Sequence, residues 1–521
     1  MTSPFSLLTA ALLFALSAQA AIARDLVLAV GGEPEGGFDP VTGWGEYGHS
    51  LFYATLLRSA PDMTLRGDLA TRWVLSEDRK TWSINLREDA RFSDGSSLTA
   101  ADVAFTFNAA KKSGGLADLT ALREARVTGP FSLELELTAP KTTFVRRLST
   151  LGIVPARSYG PNFSREPLGA GPLQLVEWRE GEQLVTTPNP YWHEGKVGFD
   201  RISFVFGSED VGMALAQSGA AQLVAVPPAQ SDRPPAGMQA LHVATVDNRG
   251  IVFPMLPVQP PVGGGGPQVG NDVTSDPAIR HAVNLALDRG SLVDLALAGR
   301  GSPAYGPADG LPWDNAAGRG DSGDPVRAAA LLDAAGWTLG AKGQRARNGV
   351  AAQFDLVYPS TDTTRQVLAL GVAEQLRAIG ITVEPQGRSW SEITAVMHSA
   401  PVLFGWGAHD PQEVYNLYHS DMAGIEFFNA GYYRNSVVDA HLDAAQGAAS
   451  FADALPHWQA ALWDGTTGYG MQGDAAWAWL VNLEHSYFVS DCLDLGASQI
   501  HPHGHGFPIT HNIANWVWTC E

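Results

Sequence analysis

Cysteine and positive charge are what this chain has least of. Its 521 residues include two cysteines, and 34 lysines and arginines stand against 54 acids, for a formal charge of -20. Neutralising nucleic-acid phosphates takes a basic surface, so the charge argues against a nucleic-acid partner, and an anionic membrane would repel the chain as well. After Arg24 no segment offers the roughly eighteen uninterrupted apolar residues of a spanning helix. Enzyme signatures are equally scarce. There is no G-x-S-x-G elbow, and Gly263 to Gly266 lacks the Lys and Ser/Thr of a phosphate loop.

What is present is a long chain with ample material for a core. A hydrophobic share of 45%, with 15 Trp and 21 Phe, is that of a folded protein, and its length calls for two or three domains. Leu7 to Ile22 is apolar and ends in small residues, a secretory signal that lacks a preceding Lys or Arg; export and a mature start near Arg24 follow. Cys492 and Cys520 both lie close to the C-terminus. In an oxidising compartment they read as one disulfide holding the tail, the alternative being a thiolate metal pair with nearby histidines.

The most informative stretch runs from Asp68 to Asn108. Leu69 to Trp73 and Thr81 to Leu86 read as strands about the turn Ser76-Glu77-Asp78. Asp94-Gly95 makes a tight turn, and Thr99 with Asp102 is a capping pattern ahead of the helical Val103, Phe105 and Phe107. Further on come Gly169-Ala170-Gly171-Pro172, Asn189-Pro190-Tyr191-Trp192, Asp276 to Arg289 and Ala329 to Trp337. In these blocks and their order the chain resembles the extracellular solute-binding proteins of ABC importers, the oligopeptide, dipeptide and nickel-binding family (family 5). The resemblance implies an α/β, two-lobed periplasmic-binding-protein fold of class II, large type, with an extra subdomain in the first lobe and a ligand cleft between lobes. It implies a periplasmic monomer without catalysis or required cofactor, which hands a peptide-like ligand or a nickel or other metal chelate to membrane permease subunits. A bound divalent transition metal is compatible with it.

The expected division is a signal peptide over 1–23, a first-lobe core over 24–57, 165–255 and 480–521, an extra subdomain over 58–164 and a second lobe over 256–479. Pro254, Pro257, Pro260, Pro261 and Gly263 to Gly266 mark the boundary, since they suit neither a helix nor a central strand. Met213 to Leu223 reads as a helix. Ile279 to Ala298 reads as one long helix with Arg280 and His281 on a solvated face. Phe354 to Tyr358, Thr364 to Ile379 and Ile381 to Pro385 read as strand, helix and parallel strand.

Candidate ligand contacts follow from this frame. By resemblance the loop with Tyr47 and His49 faces the cleft from the first lobe. From the second, the apolar strand Val402 to Phe404 runs out into Trp406, His409 and Asp410, where open α/β sheets place ligand groups. In peptide-binding relatives an Asp in this loop meets the ligand's α-amino group, and in nickel-binding relatives an aromatic residue lines the chelate pocket; Asp410 and Trp406 match by position. Asp410 followed by Pro411 is equally a helix start. Arg388 would pair with a ligand carboxylate, with Trp390 beside it. The tail histidines His501, His503 and His505 have the nitrogen donors that suit nickel, copper or zinc. They also leave open an alternative, a secreted metal-dependent hydrolase built on that cluster.

Overall fold

The structure is a computed structural model and describes residues 24–520 except 35, 49–50, 62, 116, 261–265, 426 and 505. The expected signal segment, His49 and His505 lie outside the described residues. Two long strands, Met238–Val252 and Trp477–Ser490, pair antiparallel along nearly their whole length and carry the architecture. To one side of them follow Leu223–Ala225, Asp25–Ala29, Arg201–Val205, Gln183–Pro188 and Leu173–Arg179. To the other side lie Val402–Trp406, Gln353–Pro359 and Thr382–Arg388, and the short Gly301–Pro303 completes an eleven-stranded sheet.

The long pair passes from one hydrophobic core into another. Val243, Tyr487 and Val489 pack with Leu26, Leu28, Ile202 and Phe204, whereas Ile251, Ala478 and Leu480 pack with Ile279, Leu356 and Leu403. Between these ends the register slips at Ala244/Asn248 and again at Arg249/Gly250. Such irregularities bend and twist a ribbon. In the second core region successive residues of each strand serve opposite faces: Val252, Phe404, Trp477 and Trp479 belong to a third core with Trp458 and Tyr418. The sheet there is covered on both sides, as parallel α/β sheets are.

A four-stranded antiparallel sheet, Ala70–Leu75, Thr81–Leu86, Ser132–Leu137 and Leu122–Gly129, forms the region around the Asp68–Asn108 stretch. Helix Ala100–Ser113 packs on it behind the Thr99–Asp102 capping box. Strands Gln353–Pro359 and Thr382–Arg388 are parallel, joined through helix Thr363–Arg377, as expected. Cys492 and Cys520 form a disulfide that closes the tail. Among the described residues no helix is long and apolar enough to cross a membrane.

Three expectations need correction. The segment from Ile279 to Ala298 is two helices, Pro277–Ala286 and Arg289–Leu297, because Leu287 turns extended and Asp288 caps the second through Ser291 N. Arg280 is not solvated: it is buried and donates to the carbonyls of Thr274, Ser275 and Asp474. The helix expected over Met213 to Leu223 is Glu209–Ser218, stopped by Gly219 in the left-handed region.

Candidate functional site

Between the two halves of the sheet lies a cleft of about 1150 Å³. One wall carries Tyr47, Arg147, Ser208 to Asp210 and His503; the other carries Thr361 to Arg365, Trp390, Trp406, Asp410, Phe427 and Phe428. The aromatic rings come from loops and helix ends that the sheet presents at the exit of strand Val402–Trp406.

Arg249 and Arg365 lie together in this cleft. Both guanidinium groups close over Gly405, where a Cβ would meet Arg249 Nη1 and Arg365 Nη2 at 2.5 Å each. A larger residue would push these guanidinium groups aside. Arg249 pairs with Asp247 and Arg365 with Asp362. Their Nε atoms, and the Nε1 of Trp406, are nevertheless buried without a hydrogen-bond partner among the described residues. Burial, and then the neighbouring Arg249 charge, push the Arg365 pKa down to about 10. A buried donor without an acceptor costs free energy, so this corner of the cleft can take a further hydrogen-bond acceptor beyond Asp247 and Asp362.

Asp410 is fully engaged. Its Oδ1 accepts from Gln412 N at 3.0 Å, capping helix Gln412–Tyr418, and its Oδ2 accepts from Arg147 at 2.5 Å, 263 residues away in sequence. Burial works against the charge on Arg147, but Asp410 outweighs it and the guanidinium is held more firmly protonated than usual. Thr143 donates its hydroxyl to Gln412 and Gln446 at 3.0 Å, and Thr142 N bonds Gln446 O at 2.8 Å, so this edge of the four-stranded region is fastened to the second half. Glu413 lies behind Asp410 and accepts from Gly407 N at 3.0 Å. Burial pushes its pKa up to about 8, against the pull of the Gly407 and Ala408 amides and with repulsion from Asp410 and Asp247 adding to it.

The tail crosses the long strands where their register slips. His501 pairs its backbone with Ala244 and Val246, and His503 N donates to Gly407 O at 2.7 Å. His503 Nδ1 lies 2.6 Å from Asp247 Oδ1, and His485 Nε2 lies 3.2 Å from Asp247 Oδ2. Burial opposes the Asp247 charge, but Arg249 and His503 more than offset it and hold the carboxyl well below its usual range.

Residues 64–425 match the family model described as "Bacterial extracellular solute-binding proteins, family 5 Middle". The chain is 33% identical over 494 residues to Protein XP55 of Streptomyces lividans, covering 91% of this chain and 86% of that one. This protein belongs to family 5 of the bacterial extracellular solute-binding proteins. The family is one of non-catalytic binding proteins. Its fold matches that of NikZ from Campylobacter jejuni in complex with Ni(L-His), with a TM-score of 0.81 at 21% identity over 95% of this chain and 99% of that one. It also matches the oligopeptide-binding protein AppA from Bacillus subtilis in complex with a nonapeptide, with a TM-score of 0.77 at 21% identity and the same coverage.

In this solute-binding protein Tyr47, Trp390, Trp406, Asp410 and His503 line the cleft. Arg388 does not: it ends the outermost strand and faces Asp355 at 4.0 Å. His409 is not among the residues lining the cleft; it is half-buried, and burial first and the Arg146 charge second lower its pKa to about 4. His501 is fully buried, its Nδ1 3.2 Å from that of His485. Sequence reasoning missed Arg147, Arg249, Arg365 and Glu413. For Arg147 a signal existed: Asp410, a lone acid after an apolar strand, needed a cation from elsewhere.

Proposed function

We propose that this protein is the monomeric, periplasmic solute-binding component of an ABC importer, exported by residues 1–23, and that its cargo is a small carboxylate-bearing molecule. Its lobes are taken as 24–57 with 165–255 and 480–521, and 256–479, with 58–164 as the extra subdomain. They close about the irregular middle of the long strands, and a permease in the membrane recognises the closed shape. Ligand contacts that span the cleft exist only in the closed form, so binding shifts the population toward it.

The observation that carries the cargo class is the pair of buried arginines, Arg249 and Arg365, with unpartnered Nε atoms. A guanidinium fork matches the planar, two-oxygen face of a carboxylate. Trp390, Trp406, Phe427 and Phe428 supply apolar walls for the remainder of the ligand. A peptide-like molecule and an organic metal chelate both fit this description, in keeping with the cargoes of AppA and NikZ. His503 serves the chelate reading: it lines the cleft, and its Nδ1 lies 2.6 Å from Asp247 Oδ1, the kind of carboxylate contact that orients a metal-binding imidazole. His501 and His505 complete the proposed histidine set, His505 lying outside the described residues.

A thermal-shift screen with nickel, nickel plus histidine, and short peptides, each with and without EDTA, tests the proposal. A ligand that binds only the folded state raises the melting temperature, by about 2.7 kcal/mol of stability at a hundred times Kd. At least one carboxylate ligand should do so, and Arg249→Ala and Arg365→Ala should lose the response. A response that survives both changes would remove the arginines from the site, and appearance of product would favour the hydrolase.

A further inference from the structure

We infer that Arg147 sets the specificity of the cleft by neutralising Asp410, so that the cargo reaches this corner without a free ammonium group. The inference rests on the reading of the cleft as the ligand site and narrows its cargo.

A buried carboxylate on a cleft wall is ordinarily the place for a ligand's ammonium. Here both of its oxygens are already taken, one by the Gln412 amide and the other by Arg147. The side chains of Asp410 and Arg147 are 7% and 13% exposed, so the pair is shielded from water while the two cleft walls are in contact. An ammonium would either share Asp410 with Arg147, setting two cations against one buried carboxylate, or expel Arg147 and leave a buried guanidinium with its full desolvation cost. The surroundings tilt the same way. Arg146 lies close enough that burial, Asp410 and Arg147 all act on its charge, and its own charge helps to lower the His409 pKa. Two guanidinium groups thus already lie close to Asp410, while Asp118 and Glu46 act on Arg147 as well. Glu46, Asp118, Glu209, Asp210 and Asp362 line the cleft along with Arg249 and Arg365, so it is the pairing at Asp410 itself that favours a ligand whose amine is absent, blocked or bound to a metal ion. An amine that coordinates a metal has given up the proton that makes it an ammonium.

The test compares a dipeptide with its N-acetylated form by isothermal titration, on the full mature chain with the disulfide intact. In the wild type the two Kd values should lie within threefold of each other, or neither should bind. In Arg147→Gln, with Asp410 uncovered, the free amine should bind at least tenfold tighter than the acetylated form, and the double change Arg147→Gln with Asp410→Asn should abolish that preference. A merely structural role for Arg147 would weaken both peptides equally and leave the ratio unmoved. The inference is overturned if the wild type already prefers the free amine tenfold and Asp410→Asn alone removes the preference. It is equally overturned if folded Arg147→Gln shows no preference. Should that variant fail to fold, the wild-type ratio decides by itself. The carboxylate reading is judged separately, by Arg249→Ala and Arg365→Ala.

Discussion

Glu413 and His409 lie seven and three residues past the end of the same strand, and burial moves their protons in opposite directions. Glu413 keeps its proton in the folded chain up to about pH 8, whereas an exposed carboxyl loses it near 4.5. The stability this contributes is whole below pH 4.5 and is lost as pH rises toward 8. His409, with its folded pKa lowered to about 4, binds fewer protons than an exposed ring of pKa 6.5. Its contribution is whole above 6.5 and lost as pH falls toward 4. From pH 6.5 to 8 Glu413 acts without that offset. The wild-type melting temperature should therefore fall with rising pH across this window, and Glu413→Gln should flatten the slope. Equal slopes in the two proteins would show that Glu413 titrates elsewhere. Asp410→Ala makes a second prediction at this scale. It leaves Arg147 buried and uncompensated, at a cost of about 3 kcal/mol, visible as a lower denaturation midpoint in urea. A loss near that of removing a helix cap alone, about 1 kcal/mol, would mean that the ion pair contributes little.

At the scale of elements the tail is a strap. It pairs with the middle of strand Met238–Val252, reaches Gly407 through His503, and is closed by Cys492–Cys520 across 28 residues. A disulfide over such a loop stabilises by about 3 kcal/mol. Cys492→Ser should lower stability by that amount and also weaken ligand binding, because His503 sits on the cleft wall; equal affinity with and without the disulfide would separate the strap from the site. Elements held by local signals were legible in the sequence: the capped helix after Thr99, the alternating strand Thr81–Leu86, the parallel pair around helix Thr363–Arg377. The two long strands were not. Asp247, Asn248 and Arg249 interrupt the apolar pattern of one, and Asn482, Glu484 and His485 that of the other. The partners that make these residues tolerable inside a sheet come from distant segments: Asp247 is met by His503, and Asn248 by Pro307 O. The cleft was half legible for the same reason. Trp406 and Asp410 follow an apolar strand and stand out, whereas Arg249 and Arg365 each sit two or three residues after their own aspartate and read as ordinary solvated ion pairs.

At the scale of the whole molecule the eleven-stranded sheet is continuous, with a core at each end and an irregular middle, and the cleft opens beside that middle. Contacts from Thr142, Thr143 and Arg147 to the far half are all hydrogen bonds or ion pairs, which water can replace when the halves part. The account therefore rests on two bodies that separate and close around a carboxylate ligand held by Arg249 and Arg365. Small-angle X-ray scattering on the wild type and on Arg249→Ala with Arg365→Ala, with and without a saturating ligand from the thermal-shift screen, measures this directly. The radius of gyration of the wild type should fall on adding ligand and that of the double variant should not; a ligand that binds one to one and leaves the wild-type scattering curve unchanged would contradict the account.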